Sequence, residues 1–156
     1  MNKSYWLDIL GGFFALALQL LMFRHLSFWG IQPDAVLLYL IWLTSRQSRT
    51  TCIIMAAGTG LLADILLDTW GISMFSKTLV ILLSYKILNS QIENILQTRE
   101  VFVIVVLMSL LYFAVYFLMA SFAGIYSLDL YFWRYWIGSS IYTAVLGSLF
   151  YMLRAE

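Results

Sequence analysis

The 156-residue sequence has little charge and very little cysteine, histidine or proline. Charged residues make up 11% of the chain, and cysteine, histidine and proline occur once each. Soluble domains carry about 25% charged residues and about 45–50% apolar ones, whereas this chain is 63% hydrophobic. A soluble core of this size cannot hide so much apolar surface. We therefore predict that lipid surrounds much of the chain.

These shortages exclude several kinds of site. Cys52 has no partner for a disulfide within the chain, and a metal centre needs several converging ligands, which one histidine (His25) and one cysteine do not supply. Nine Lys and Arg scattered singly, with a net charge of +1, do not form the clustered basic footprint that nucleic acid requires. No spacing suits a catalytic triad, and Gly58-Thr59-Gly60 lacks the lysine of a phosphate-binding loop. We predict no enzymatic activity, no catalytic residue, no cofactor, no metal and no nucleic-acid partner.

Six apolar segments dominate what is present. They predict an all-α membrane protein in which 1–156 forms one transmembrane domain, a bundle of six transmembrane helices at about 7–23, 33–45, 51–67, 72–88, 101–122 and 133–153. The first run continues past Ala15-Leu16-Ala17, which favours an uncleaved helix over a signal peptide.

The second segment is short for a helix that crosses a bilayer. Pro33 suits a first helical turn, and Asp34 favours the positive end of the helix dipole. The helix could cross a thinned membrane, be shielded by its neighbours, or be re-entrant. Lys77, near the start of the fourth segment, is expected to reach the headgroups along its aliphatic stem.

Orientation follows from the distribution of lysine and arginine. With six spans and a cytoplasmic N-terminus, six of the nine cations fall on the cytoplasmic side, with the Arg46/Arg49 turn the strongest indication. Both termini are thus predicted to be cytoplasmic, in a multi-pass protein of a bacterial inner membrane. The polar stretch 89–100 is either a solvated connector or a short amphipathic helix that docks a partner.

Asp64 is the acidic residue that burial in a membrane would make most costly. It follows Ala56 and Gly60 at intervals of four, so small residues on that face let a neighbouring helix approach its carboxylate. Three roles stay open: a hydrogen bond to a helix end or an ion pair with Arg24 or Arg134, a proton or cation site, and contact with a partner. Asp68, at the end of the segment, is expected to be hydrated.

A second stripe of small residues lies in the last segment. Ser140, Ala144 and Ser148 recur every four residues, which marks a close helix–helix contact. The partner helix is either another part of this chain or another subunit.

The stretch 57–72 (AGTGLLADILLDTWGI), preceded by Pro33-Asp34 at the start of a short apolar helix, resembles the MreD family of bacterial rod shape-determining membrane proteins. The resemblance implies a non-enzymatic component of the elongation complex (elongasome) for cell shape and peptidoglycan synthesis. Its implied partners are an MreC-like membrane protein, RodA with its transpeptidase, and indirectly MreB, besides membrane lipid. The implied family-motif or assembly residues are Pro33, Asp34, Gly58, Gly60, Asp64, Asp68 and Gly71.

The same resemblance implies a fold similar to the substrate-binding subunits of vitamin transporters. The alternative function is therefore that of a substrate-binding membrane subunit of a small-molecule transporter. Those subunits usually carry an Ala-x-x-x-Ala pattern in their first helix, whereas here Ala15 is followed four residues later by Gln19. The scaffold function is the one we expect.

Overall fold

A computed structural model describes residues 3–23, 31–92, 98–124 and 130–155 of the chain. These residues form six α-helices: α1 (Lys3–Leu18), α2 (Ala35–Thr44), α3 (Arg49–Leu67), α4 (Ile72–Ile92), α5 (Thr98–Phe122) and α6 (Leu130–Ala155). A π-helical turn, Gln19–Phe23, follows α1. For the described residues, the prediction of an all-α architecture with six α-helices is confirmed.

Helix α2 occupies the middle of the bundle and contacts α1, α3, α4, α5 and α6. Seven of its ten residues are buried. At about 1.5 Å per residue it is roughly 15 Å long, about half of a hydrocarbon core of about 30 Å. Its neighbours in the bundle cover most of this short helix.

Helices α3 and α4 pack closely against each other, as do α5 and α6. The turn between α3 and α4 is tight because several of its residues adopt left-handed backbone conformations. Asp68 has φ 55° as the C-cap of α3, and Trp70 and Gly71 have φ 51° and 87°. Such angles suit Gly71 and are uncommon for other residues, less so for Asp68 than for Trp70.

The outward faces of the helices carry large apolar side chains, such as Phe14, Ile54 and Leu107. Charged side chains lie inside, with Asp64 5% exposed and Lys77 1% exposed. Charged residues are almost never fully buried in soluble proteins unless they are paired. The described part of the chain therefore places part of its charge where a soluble domain places its apolar core.

Two helices, Arg49–Leu67 and Glu100–Phe122, are long and apolar enough to cross a membrane by length and composition. Two further apolar helices, Trp6–Leu21 and Ala35–Thr44, are shorter than a usual span. The polar stretch 89–100 falls partly outside the described residues: 89–92 continue α4, 98–100 begin α5, and 93–97 are not among them. Arg24 and His25 also lie outside the described residues.

Candidate functional site: the buried start of helix α2

Helix α2 begins inside the bundle, and its cap is the side chain of Asp34. Pro33 and Asp34 are both buried. The Leu37 N–H donates to Asp34 Oδ1 over 2.8 Å, the arrangement typical of an N-cap. Pro33 therefore stands just before the cap rather than in the first turn, because the Asp34 side chain takes the capping position. The expectation that Asp34 favours the start of this helix is confirmed.

Two other helices satisfy further amides at this buried end. The first N–H groups of a helix have no partner within it, and burying a polar group without a hydrogen bond is costly. Here the Asp34 N–H donates to Thr143 Oγ1 of α6 over 3.2 Å. The Val36 N–H donates to Gln19 Oε1, also over 3.2 Å, and Gln19 is the first residue of the π-helical turn. The start of α2 is thus held by side chains from both ends of the sequence.

The negative charge of Asp34 is paired with Lys77 of α4. Lys77 Nζ lies 3.1 Å from Asp34 Oδ2, and both side chains are nearly inaccessible. Lys77 Nζ also donates to the Tyr112 hydroxyl of α5 over 3.1 Å. The expectation that Lys77 reaches the headgroups is wrong, because a buried carboxylate within reach is a stronger partner for the ammonium group than a distant surface.

Two buried hydroxyl groups on α4 and α6, the helices that supply Lys77 and Thr143, have no hydrogen-bond partner among the described residues. Ser76 Oγ precedes Lys77 in α4, and Ser139 Oγ lies one turn before Thr143 in α6; both are buried. The Thr143 hydroxyl donates to the Ser139 carbonyl over 2.6 Å, so this serine joins the cluster through its backbone alone. Leaving a buried polar group without a hydrogen bond costs about 1–3 kcal/mol of folding free energy. This part of the interior therefore holds two hydroxyl groups that its hydrogen bonds do not use.

Asp64 forms a second buried carboxylate site, at the start of α4. Its Oδ1 accepts from the Ser73 N–H over 2.9 Å and its Oδ2 from the Met74 N–H over 2.8 Å. The Thr69 hydroxyl also donates to Oδ1. Of the roles left open by the sequence, hydrogen bonding to a neighbouring helix end is the one observed.

Gly60 explains how α4 comes so close. A Cβ atom at Gly60 would lie 2.5 Å from the Met74 Cα, and the contact is with backbone rather than with a flexible side chain. Ala56 is fully buried on the same stripe. The stripe of small residues is therefore a close contact between α3 and α4 within the chain.

The remaining motif residues lie elsewhere. Asp68 is exposed at the C-cap of α3, as expected. Gly71 has a positive φ and no atom within 4 Å of a Cβ built on it. Gly58 is exposed on the outward face of α3, again with open space around it. The structure thus gives Asp34 and Asp64 a role in holding α4, and does not bring Gly58 into either site.

Sequence reasoning missed a third polar cluster, which joins α1, α2 and α4 at the other end of α2. Gln47 Nε2 donates to Asp8 Oδ2 over 2.6 Å, and the Tyr85 hydroxyl donates to the Gln47 carbonyl over 2.9 Å. The Tyr39 hydroxyl donates to the Asp8 carbonyl. The sequence signals for this cluster were an acidic residue, Asp8, inside the first apolar segment and single tyrosines, Tyr39 and Tyr85, inside two other apolar segments.

The small-residue stripe of the last helix also finds its partner within the chain. Ser140 and Ala144 are fully buried, and the Ser109 hydroxyl of α5 donates to the Ser140 carbonyl over 3.2 Å. Of the two alternatives, another part of this chain is the one observed for these two residues.

No three His, Cys, Asp or Glu side chains of the described residues are grouped so that they could hold a metal ion. The arrangement is that of a helical bundle whose polar interior consists mainly of hydrogen bonds at helix ends and one buried ion pair. Comparison of the chain with protein-family models, with curated proteins and with solved structures gave no match.

Proposed function

We propose that the chain is an integral, multi-pass protein of a bacterial inner membrane that crosses it six times, with both termini in the cytoplasm. The observation that supports this best is the distribution of side chains: Leu7, Phe14, Ile65 and Leu107 are more than 60% exposed, whereas Lys77 is 1% exposed. Exposed apolar surface of this extent is unfavourable in water and favourable in hydrocarbon. Within the bilayer, internal hydrogen bonding of buried polar groups is also required.

Within that class, the function we propose is that of a non-enzymatic, MreD-like scaffold of the elongation machinery. Two features support it. The residues that carry the resemblance include Asp34 and Asp64, and both take part in buried helix-end hydrogen bonds. Their geometry is that of residues that set the arrangement of helices, as a scaffold requires, and their oxygens are occupied by helix-end amides and one lysine.

The proposed partner is the spanning helix of an MreC-like protein, through which the chain would support lateral wall synthesis beside RodA and its transpeptidase. The test is copurification from membranes in which tagged chain and an MreC-like protein are expressed together. We expect retention of the partner by the wild-type chain. A matched unrelated single-span protein serves as the control. Equal retention of both proteins, or of neither, would contradict the proposal.

The transporter alternative is tested on the same purified material. Vitamin-sized compounds are added and the unfolding temperature is measured, because a ligand that binds only the folded state raises it. We expect no saturable increase. A saturable increase for one compound, without retention of the MreC-like partner, would favour a substrate-binding subunit instead.

A further inference from the structure

One end of the bundle carries a cluster of exposed cations. Arg46 and Arg49 lie in the turn between α2 and α3 and at the first residue of α3, and Lys86 lies near the end of α4; all three are exposed. None of these three cations forms an ion pair with a carboxylate of the described residues. The ion pair seen among those residues joins Lys77 and Asp34. The nearby Asp8 is buried and accepts from Gln47. Glu100, exposed in the first turn of α5, also lies at this end, and the cations there outnumber the carboxylates of the described residues.

The arginines are held in place by the fold. Arg49 Nη2 donates to the Leu82 carbonyl of α4 over 3.2 Å. That carbonyl is also the helical acceptor for the Lys86 N–H, since the two residues are four apart in an α-helix, so Arg49 lies beside the backbone of Lys86. Arg46 lies over the Trp42 ring, with its guanidinium carbon 4.7 Å from the ring centroid. The cluster thus spans α2, α3 and α4.

Large apolar side chains adjoin the cations on the lipid-facing surfaces that we propose. Leu83 and Ile87 of α4 are 57% and 68% exposed, and they stand within one turn of Lys86. A ligand that fits this surface has an anionic head at the cations and hydrocarbon chains along the apolar faces.

We propose that Arg46, Arg49 and Lys86 form a binding site for the phosphate headgroup of an anionic phospholipid. The charge complementarity selects the ligand: cationic residues at a membrane surface attract anionic lipid at about 1 kcal/mol each, and arginine binds phosphate oxygens with paired N–H groups. This proposal rests on the membrane location proposed above and is independent of the partner.

The test is native mass spectrometry of the full chain in detergent, titrated with dioleoylphosphatidylglycerol or with dioleoylphosphatidylcholine. We expect wild type to bind the anionic lipid preferentially. Arg46→Gln/Lys86→Gln should lower its apparent affinity about fivefold for each charge removed, because neither side chain makes a hydrogen bond among the described residues whose loss would unfold the bundle. Arg49→Gln is a second variant, which should also lower the apparent affinity for the anionic lipid. It additionally breaks the hydrogen bond to the Leu82 carbonyl.

Arg134→Gln is the matched control. Arg134 is an exposed cation near the start of α6, at the other end of the bundle, so this variant should bind the anionic lipid as wild type does. Equal binding of the two lipids by wild type, or unchanged preference in the double variant, would overturn the proposal. Complete displacement by millimolar inorganic phosphate would overturn the lipid assignment. A chain absent from the membrane fraction would instead refute the membrane location itself.

Discussion

Two of the buried carboxylates of the bundle, Asp34 and Asp64, cap helices in different ways. Asp64 reaches from α3 to the start of α4 and receives two backbone N–H groups and a hydroxyl. Asp34 caps its own helix and pairs with Lys77. At Asp64 the donors are neutral, whereas at Asp34 a full positive charge is buried as well. The two carboxylates are thus stabilised differently: Asp64 by three neutral donors, and Asp34 by one backbone N–H group and a counter-charge.

Both sites act on the same helix. Asp64 holds α4 at Ser73 and Met74, and Asp34 holds it at Lys77, one turn further along. The α2, α3 and α4 helices are thereby joined through polar contacts within two turns of one helix. The following predictions test how much each site contributes to the stability of this arrangement.

Removal of the counter-charge should have the largest effect. Lys77→Met leaves the Asp34 carboxylate buried beside Tyr112 without a cation, and breaking a buried pair costs about 3–5 kcal/mol. We expect a matching loss in the free energy of unfolding, measured by denaturant unfolding in detergent micelles.

The double variant Asp34→Asn/Lys77→Met is the control for that result. Asparagine is a good N-cap, so the helix start is kept while both charges are removed, and most of the lost stability should return. A single Lys77→Met variant as stable as wild type would show that the pair contributes nothing.

Asp64→Leu should cost less, because the three donors that it leaves are neutral and only the hydrogen bond from the Ser73 N–H is fully buried. Loss of a hydrogen bond to a charged acceptor costs about 1.5–3 kcal/mol, and the same unfolding measurement would report it. Hydrogen exchange at Ser73 and Met74 should accelerate, since their amides lose the acceptor. Unchanged exchange at these two amides would rule out the capping role, and unchanged stability together with unchanged partner retention would rule out Asp64 as an assembly residue.

Alanine substitutions at the two glycines of α3 are expected to change the stability of the chain in opposite directions. Gly60→Ala places a Cβ against the Met74 backbone, and overpacking of this kind costs about 1–3 kcal/mol. Gly58→Ala meets open space and should be neutral or stabilise α3, since alanine is favoured over glycine in a helix by up to about 1 kcal/mol. Thermal unfolding of the two variants side by side checks the prediction, which equal shifts would refute.

The smallest effect on stability is expected at Gln19, which accepts a hydrogen bond from the start of α2. Gln19→Leu removes the acceptor of the Val36 N–H, at about 1 kcal/mol, while a side chain of similar size keeps the packing. The Asp34–Lys77 pair does not use this hydrogen bond and should survive the substitution. A loss as large as that of Lys77→Met itself would mean that Gln19 holds the whole helix start.

Much of this organisation was predictable from local sequence. The six apolar runs predicted six helices, Pro33-Asp34 predicted the start of α2, and the interval from Gly60 to Asp64 predicted a close approach by another helix. These signals depend on residues within a few positions of one another. The helix bounds moved by a few residues, mainly because the apolar run does not reveal where polar residues such as Lys3, Arg49 and Thr98 continue a helix.

The contacts that join distant segments were not predictable. Lys77 was expected at the surface because its partner lies in another helix, and no local pattern names that partner. The same holds for Gln47 with Asp8, which are 39 positions apart, and for Thr143 with Asp34, which are 109 apart. A single sequence carries periodicity, but the pairing of polar side chains depends on how the helices are arranged in space.

The position of α2 has a consequence for which substitutions the chain tolerates. Val36, Leu37, Leu40 and Leu43 are fully inaccessible, so packing within the bundle constrains these positions of α2. Volume and branching should decide which residues are accepted there, because close-packed interiors respond to a change of one methylene. On the outward face of α3, polarity should decide instead, and size should matter little.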